Sequence, residues 1–135
     1  MASLVPKQEK LLTTDAWAAQ IWKVALLASS FTYNHATHST YASVSGSETS
    51  GTGYIAGGNT LSGKVSGYVD TTTTYLDATD LSWGPGATLT NVGYAVCYDI
   101  VTGLIRAIFE FSAAQSCTNA TFTIQWHASG LIRIA

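Results

Sequence analysis

Apolar positions along the chain fall in short runs that alternate with polar ones, the period-two pattern of strands that bury one face. The strongest run is residues 91–100, which predicts Val92, Tyr94, Val96 and Tyr98 on one face and Gly93, Ala95 and Cys97 on the other. Residues 21–28 carry apolar side chains at both parities and predict a strand buried on both faces, although Trp17, Ile21, Val24 and Leu27 also fit a helical spacing. Upstream, Leu11, Leu12, Ala16 and Ala19 are spaced for a brief helix, with Thr14 and Asp15 able to cap a turn.

Downstream, residues 34–50 read as a long loop with a turn of helix at 40–44. A short strand is expected at Tyr54-Ile55-Ala56, opened by Gly51-Thr52-Gly53 and ended by Gly57-Gly58-Asn59. Threonine-rich strands are expected at 64–70 and 75–77, then one at 80–83 that ends in a turn at Gly84-Pro85-Gly86. Thr102-Gly103 marks a hairpin turn into a strand at 104–111, and further strands are expected at 121–127 and 131–134. About eight to ten short strands separated by Gly, Ser and Asn predict an all-β fold, a β-sandwich or jelly-roll. Residues 21–135 form the expected single β domain, and residues 1–20 an N-terminal arm, helical or extended.

Composition narrows the function classes. Of 135 residues only 10% are charged, against about 25% in ordinary soluble domains, and much of the polarity comes instead from 19 Thr and 14 Ser. Threonine suits a pleated, half-buried surface. Six Lys and Arg against eight Asp and Glu give a net charge of −2. That balance argues against nucleic-acid binding through phosphate neutralisation, and the hydrophobic content argues against disorder. So little charge suits burial against copies of the chain or a larger assembly. The longest aliphatic run, residues 24–28, falls far short of the roughly 20 residues of a spanning helix, so no membrane partner is expected. Thr13, Thr14, Asp15 and Gln20 interrupt any apolar run after Lys7 and Lys10, so no export signal is readable. Cys97 and Cys117 are expected to be buried thiols, and Asn119-Ala120-Thr121 a turn-like polar step.

Candidate chemistry is sparse. His35 and His38 lie in a Ser/Thr-rich loop, with His127 far away, and no third ligand converges on them, so no metal is expected. Asp77 and Asp80 fit turn-backbone acceptors better than a calcium site or an acid/base pair. Arg106 and Glu110, four apart on a strand, are expected to share a face and form an ion pair. Gly51-Thr52-Gly53 and Gly57-Gly58 complete no phosphate-binding motif and are read as turn or bulge positions. No nucleophile elbow is present, so no catalytic residue, cofactor or enzymatic activity is expected. Trp83, beside Gly84-Pro85-Gly86, is the best candidate for an exposed platform for a sugar ring, with an edge-of-core tryptophan as the commoner alternative.

Several stretches, in order, carry a family resemblance. They are Trp22-Lys23-Val24-Ala25-Leu26-Leu27, Thr40-Tyr41-Ala42-Ser43-Val44 and Gly51-Thr52-Gly53-Tyr54-Ile55-Ala56-Gly57-Gly58-Asn59-Thr60-Leu61. After these come Asp77-Ala78-Thr79-Asp80-Leu81-Ser82-Trp83, Tyr94-Ala95-Val96-Cys97-Tyr98-Asp99 and the stretch from Ala120-Thr121-Phe122 through Trp126-His127 to Leu131-Ile132. Together they span most of the chain from Trp22 onward, and the chain resembles small virion proteins of tailed bacteriophages, the head decoration (cement) proteins. The resemblance implies a compact β fold, commonly a jelly roll, and assembly as a dimer or trimer. It also implies a major capsid protein as partner, on the capsid surface of the virion, after synthesis in the bacterial host cytoplasm. No catalytic residues come with it. The arm does not match the family's pattern over residues 1–15. Being short, polar and unlike the β domain, it is the expected capsid or subunit contact, through Val5, Pro6, Lys7, Gln8, Leu11 and Leu12. The alternatives are a tail, neck or baseplate component, and a carbohydrate-binding host-attachment module that uses Trp83 or the tyrosines.

Overall fold

The computed structural model describes residues 19–34, 36–68, 74–126 and 132–134. They form β1 (Trp22–Ala28), a single helical turn α1 (Tyr41–Val44) continued by a 3-10 turn (Ser45–Ser47), β2 (Asn59–Thr60), β3 (Val65–Tyr68), β4 (Thr74–Asp77), β5 (Leu81–Asp99), β6 (Ile105–Ile124) and β7 (Ile132–Ile134). The described chain is therefore mostly β. The strands make a four-stranded sheet in the order β2-β1-β5-β6 and a three-stranded sheet in the order β3-β4-β7. Every pairing is antiparallel.

The described residues hold seven strands, fewer than the eight to ten expected, because two are very long: 19 residues in β5 and 20 in β6. The turn expected at Gly84-Pro85-Gly86 does not end the strand: these residues form a bulge within β5. Trp83 pairs with Phe122 and Ala87 with Ala120, so three residues of β5 face one of β6 and the strand resumes. The strands expected at 104–111 and 121–127 are likewise joined within β6, although pairing slips between Glu110 and Gln115. The strand expected at Tyr54-Ile55-Ala56 is absent, and those residues are loop. Thr52 alone makes a bridge there, to Thr88. The helical turn in the 34–50 loop and the hairpin turn at Thr102-Gly103 are observed where expected.

Both faces of the four-stranded sheet are buried near its centre. On one face Trp22, Val24 and Leu26 of β1 pack with Ala95 and Cys97 of β5, together with Leu76, Trp83, Leu89 and Phe122. On the other, Ala25 and Leu27 pack with Val96, Tyr98, Phe31 and Val44. This is the two-sided burial that the sequence of β1 predicts. Within β5, Val96 and Tyr98 share a cluster with Tyr94 against it, as expected, but Val92 joins Ala95 and Cys97 in the opposite one. A register shift explains the difference: Leu27 pairs with Tyr94 but Ala28 with Val92, which skips Gly93. A Cβ on Gly93 would lie 2.5 Å from the Cα of Ser29, so only glycine fits where β1 departs.

A second bulge, where Cys97 pairs with Ala107 and Tyr98 with Ile105, separates Arg106 from Glu110. The Arg106 guanidinium lies over the Trp22 ring at 5.8 Å, on the side of the first cluster. Glu110 is paired with Tyr94, which packs on the second. The expected shared face and ion pair are therefore not formed, because one extra residue inverts the parity of the strand.

Candidate functional site

The described residues offer two places to look: a cluster of tyrosines around one carboxylate, and an apolar end of the long hairpin. The cluster is built by the loop that follows α1. Glu48 stands just after the 3-10 turn, and a bridge between Leu27 and Glu48 ties its backbone to β1. Tyr54 donates its hydroxyl proton to Glu48 Oε1 at 2.5 Å, and the Gly57 N–H donates to the same oxygen at 2.7 Å. Tyr41 donates to Oε2. The Tyr54 oxygen in turn accepts the Leu26 N–H at 2.9 Å, and Tyr98 donates to the Gly57 carbonyl at 2.6 Å. Tyr41 stacks on Tyr98, with centroids 4.5 Å apart and planes at 12°.

These contacts occupy both carboxylate oxygens. Burial, reinforced by the Glu48 hydrogen bond, pushes the Tyr41 and Tyr54 hydroxyls well above the ordinary tyrosine range, and burial raises Tyr98 as well. The three phenols are held neutral as donors, which is the opposite of an activated base or nucleophile. What the arrangement does is fasten residues 41–58 onto the sheet. Gly58 allows the closest approach: a Cβ there would lie 1.8 Å from the Val24 carbonyl oxygen, and its φ is +78°. The glycines near residues 51–58 thus serve backbone approach rather than phosphate binding.

The apolar end is the turn between β5 and β6. Asp99 is buried, and its carboxylate accepts the Val101 N–H at 2.9 Å and the Thr102 hydroxyl at 3.1 Å. Gly103 N–H donates to the Asp99 carbonyl at 2.7 Å, and Tyr41 N–H donates to the Gly103 carbonyl at 2.8 Å. This frame presents Ile100, Val101 and Leu104 to solvent at 41%, 81% and 54% exposure. Beside them lies Ile21, 51% exposed, whose carbonyl accepts the Ile100 N–H at 3.2 Å. Four large aliphatic side chains thus share one braced end, an arrangement suited to burial against another surface.

The residues singled out from sequence are placed as follows. Val5, Pro6, Lys7, Gln8, Leu11 and Leu12 lie outside the described residues, as do His35 and His127. His38 Nδ1 accepts the Asn34 N–H at 2.9 Å and its ring packs against Phe31 at 5.0 Å, so it is a loop residue with a partner. Among the described residues no three His, Cys, Asp or Glu come together as metal ligands. Asp77 accepts the Ala78 N–H at 2.9 Å, the local backbone role expected of it, whereas Asp80 accepts the Trp126 N–H at 2.9 Å from 46 residues away, a long-range tie rather than a turn. Cys97 is a buried free thiol that burial pushes up to about 12. Cys117 is free and half-buried, and its thiol donates to the Ala87 carbonyl at 3.3 Å. Trp83 is not an exposed platform. It is 2% exposed, wedged between Tyr54 and Phe122, because β5 continues past Gly84 and carries its ring inward. Among the described residues no helix is long and apolar enough to cross a membrane.

Sequence reasoning missed Glu48 and the braced turn. Glu48 is a lone acid in a Ser/Gly loop whose partners stand six to nine residues away, too far for any local pattern. The turn did carry a signal, two β-branched apolar residues, Ile100 and Val101, where turns are usually polar.

Comparisons with protein-family models, with characterised proteins and with solved structures find no match for this chain.

Proposed function

We propose that this chain is a bacteriophage capsid decoration protein that binds the outer surface of the head and stabilises the lattice of the major capsid protein. The observation that carries this reading is the ordered set of stretches from Trp22 to Ile132 that resembles the head decoration proteins. The two antiparallel sheets and the shared Leu76 agree with the sandwich or jelly-roll that the resemblance implies. Low charge and the braced apolar end supply surface that a lattice contact would bury. The mechanism is multivalent: each contact is modest, and many symmetric copies together clamp the shell against internal pressure. On this reading the protein assembles in the host cytoplasm onto the virion and carries out no catalysis.

Binding to isolated capsids tests it. The full chain is expected to bind and to raise the temperature at which shells break. Deleting residues 2–12 is expected to weaken attachment while leaving the melting temperature of the free protein unchanged. Equal capsid binding by the truncated chain removes the arm from the account, and no binding by the full chain removes the function. A tail, neck or baseplate role predicts few copies per particle. The carbohydrate-binding reading loses its best platform with Trp83 inside the core.

A further inference from the structure

The loop between β1 and α1 is built almost wholly of polar residues, yet it is held at three points. Phe31 is buried, with its ring edge-on to Tyr94 at 5.1 Å, and its N–H donates to the Ala28 carbonyl at 3.0 Å. Asn34 ties a knot just beyond it. The Asn34 carbonyl accepts the Thr37 and His38 N–H groups at 3.1 and 2.8 Å, and its Oδ1 accepts the Ala36 N–H at 3.0 Å. The Asn34 N–H in turn donates to His38 Nδ1 at 2.9 Å. At the far end the Ser39 carbonyl accepts the Ile105 N–H at 2.9 Å, which fastens the loop to the start of β6.

An imidazole nitrogen that accepts a hydrogen bond carries no proton, so neutral His38 holds its proton on Nε2. No acceptor for that proton lies among the described residues. The Asn34 knot and the Phe31 ring, 5.0 Å away, fix the ring that bears this donor. Beside it stands Tyr33, its centroid 6.1 Å from the imidazole and the planes tilted by 39°. At 47% Tyr33 is the most exposed aromatic among the described side chains. The surroundings are neutral. Residues 24–47 contain no Asp, Glu, Lys or Arg, and Thr32, Asn34, Thr37 and Ser39 offer exposed hydroxyl and amide groups. The sheet adds Glu110, an acceptor paired with Tyr94 and so on the same face.

We propose that Tyr33 and His38 form a binding site for a neutral sugar, with one pyranose stacked on the Tyr33 ring and one of its hydroxyls accepting from His38 Nε2. A rim without cations gives nothing to hold a phosphate or an acidic sugar. One exposed ring is too little apolar surface for a lipid chain. A neutral sugar presents an apolar C–H face to the ring and hydroxyls to the donors and acceptors around it, which is the match this rim offers. Asn34 is a positioning residue: it acts through the imidazole, and by ordering the loop beforehand it lowers the cost of binding. The buried Trp83 takes no part. This inference goes beyond capsid attachment and does not depend on it.

Calorimetric titration of the full chain with maltohexaose and with cellohexaose tests the site, with hexagalacturonate as the charged control. At least one neutral sugar is expected to bind with a Kd on the order of 1 mM or tighter, and the charged control more weakly. In the unaltered chain the bound sugar should shift the amide NMR signals of residues 32–34 and 36–39 and leave those of residues 51–58 in place. Tyr33→Ala should weaken binding about tenfold or more. His38→Asn sets an Oδ1 where Nδ1 stood, keeps the Asn34 N–H partnered and removes only the outer donor. A loss of about threefold to tenfold is expected there, with the melting temperature unchanged. Ile55→Ala, at an exposed position on another loop, should leave binding unaltered. Failure of both neutral sugars to bind overturns the proposal. So does equal binding of hexagalacturonate, a shift pattern confined to other residues, or binding that Tyr33→Ala leaves intact.

Discussion

Glu48 shows how much one side chain holds in this fold. Its carboxylate takes hydrogen bonds from Tyr41, Tyr54 and Gly57, and through Tyr54 it reaches the Leu26 N–H at the centre of β1. Glu48→Gln keeps the shape but removes the charge, and replaces one acceptor with a donor that faces another donor. A loss of about 1–3 kcal/mol is expected, the range for unsatisfying a buried polar group, read from urea unfolding. Tyr54→Phe should cost a similar amount, since it strips the partner from the Leu26 N–H. The same network sets an alkaline limit. The tyrosines, ordinarily near 10.0, and Cys97, ordinarily near 9.0, are all raised in the folded state, chiefly by burial. Unfolding releases them to ionise, so stability is fully present below about pH 9 and falls as pH rises through 10 and beyond. Melting temperatures followed from pH 8 upward check this, and Tyr54→Phe should flatten the fall. None of this was legible in the sequence, because the cluster joins residues 26, 41, 48, 54, 57 and 98 across four segments.

Strands were legible where alternation ran unbroken, and the joints between them were not. The two-sided burial of β1 follows from apolar residues at both parities, and its packing bears that out. Gly84-Pro85-Gly86 reads locally as a turn, yet the pairing of Ala87 with Ala120 carries β5 onward, and that pairing is a long-range fact. Bulges have the same effect on faces: one skipped residue at Gly93 moves Val92 to the other core, and another at Arg106 separates it from Glu110. The energetic contrast between core and turn is testable within β5 and its hairpin. Leu89→Ala, at a fully buried site, should cost about 2–5 kcal/mol. Val101→Asp, at an exposed site on the braced turn, should change stability by no more than about 0.5 kcal/mol while weakening capsid attachment. Urea unfolding and capsid pelting read the two effects separately.

At the scale of the whole molecule, low charge and a braced apolar end point the same way, toward a protein made to be covered. All-β architecture was readable from alternation and turn residues, whereas the surfaces offered for contact became visible only once β5 and β6 were seen as one long hairpin. Counting the copies of this chain in purified phage particles by quantitative mass spectrometry, against the major capsid protein, tests the capsid reading most directly. The account predicts copies on the order of hundreds per head, scaling with the capsid lattice. About six or twelve copies, the symmetry of a tail or neck, or none at all, would contradict it.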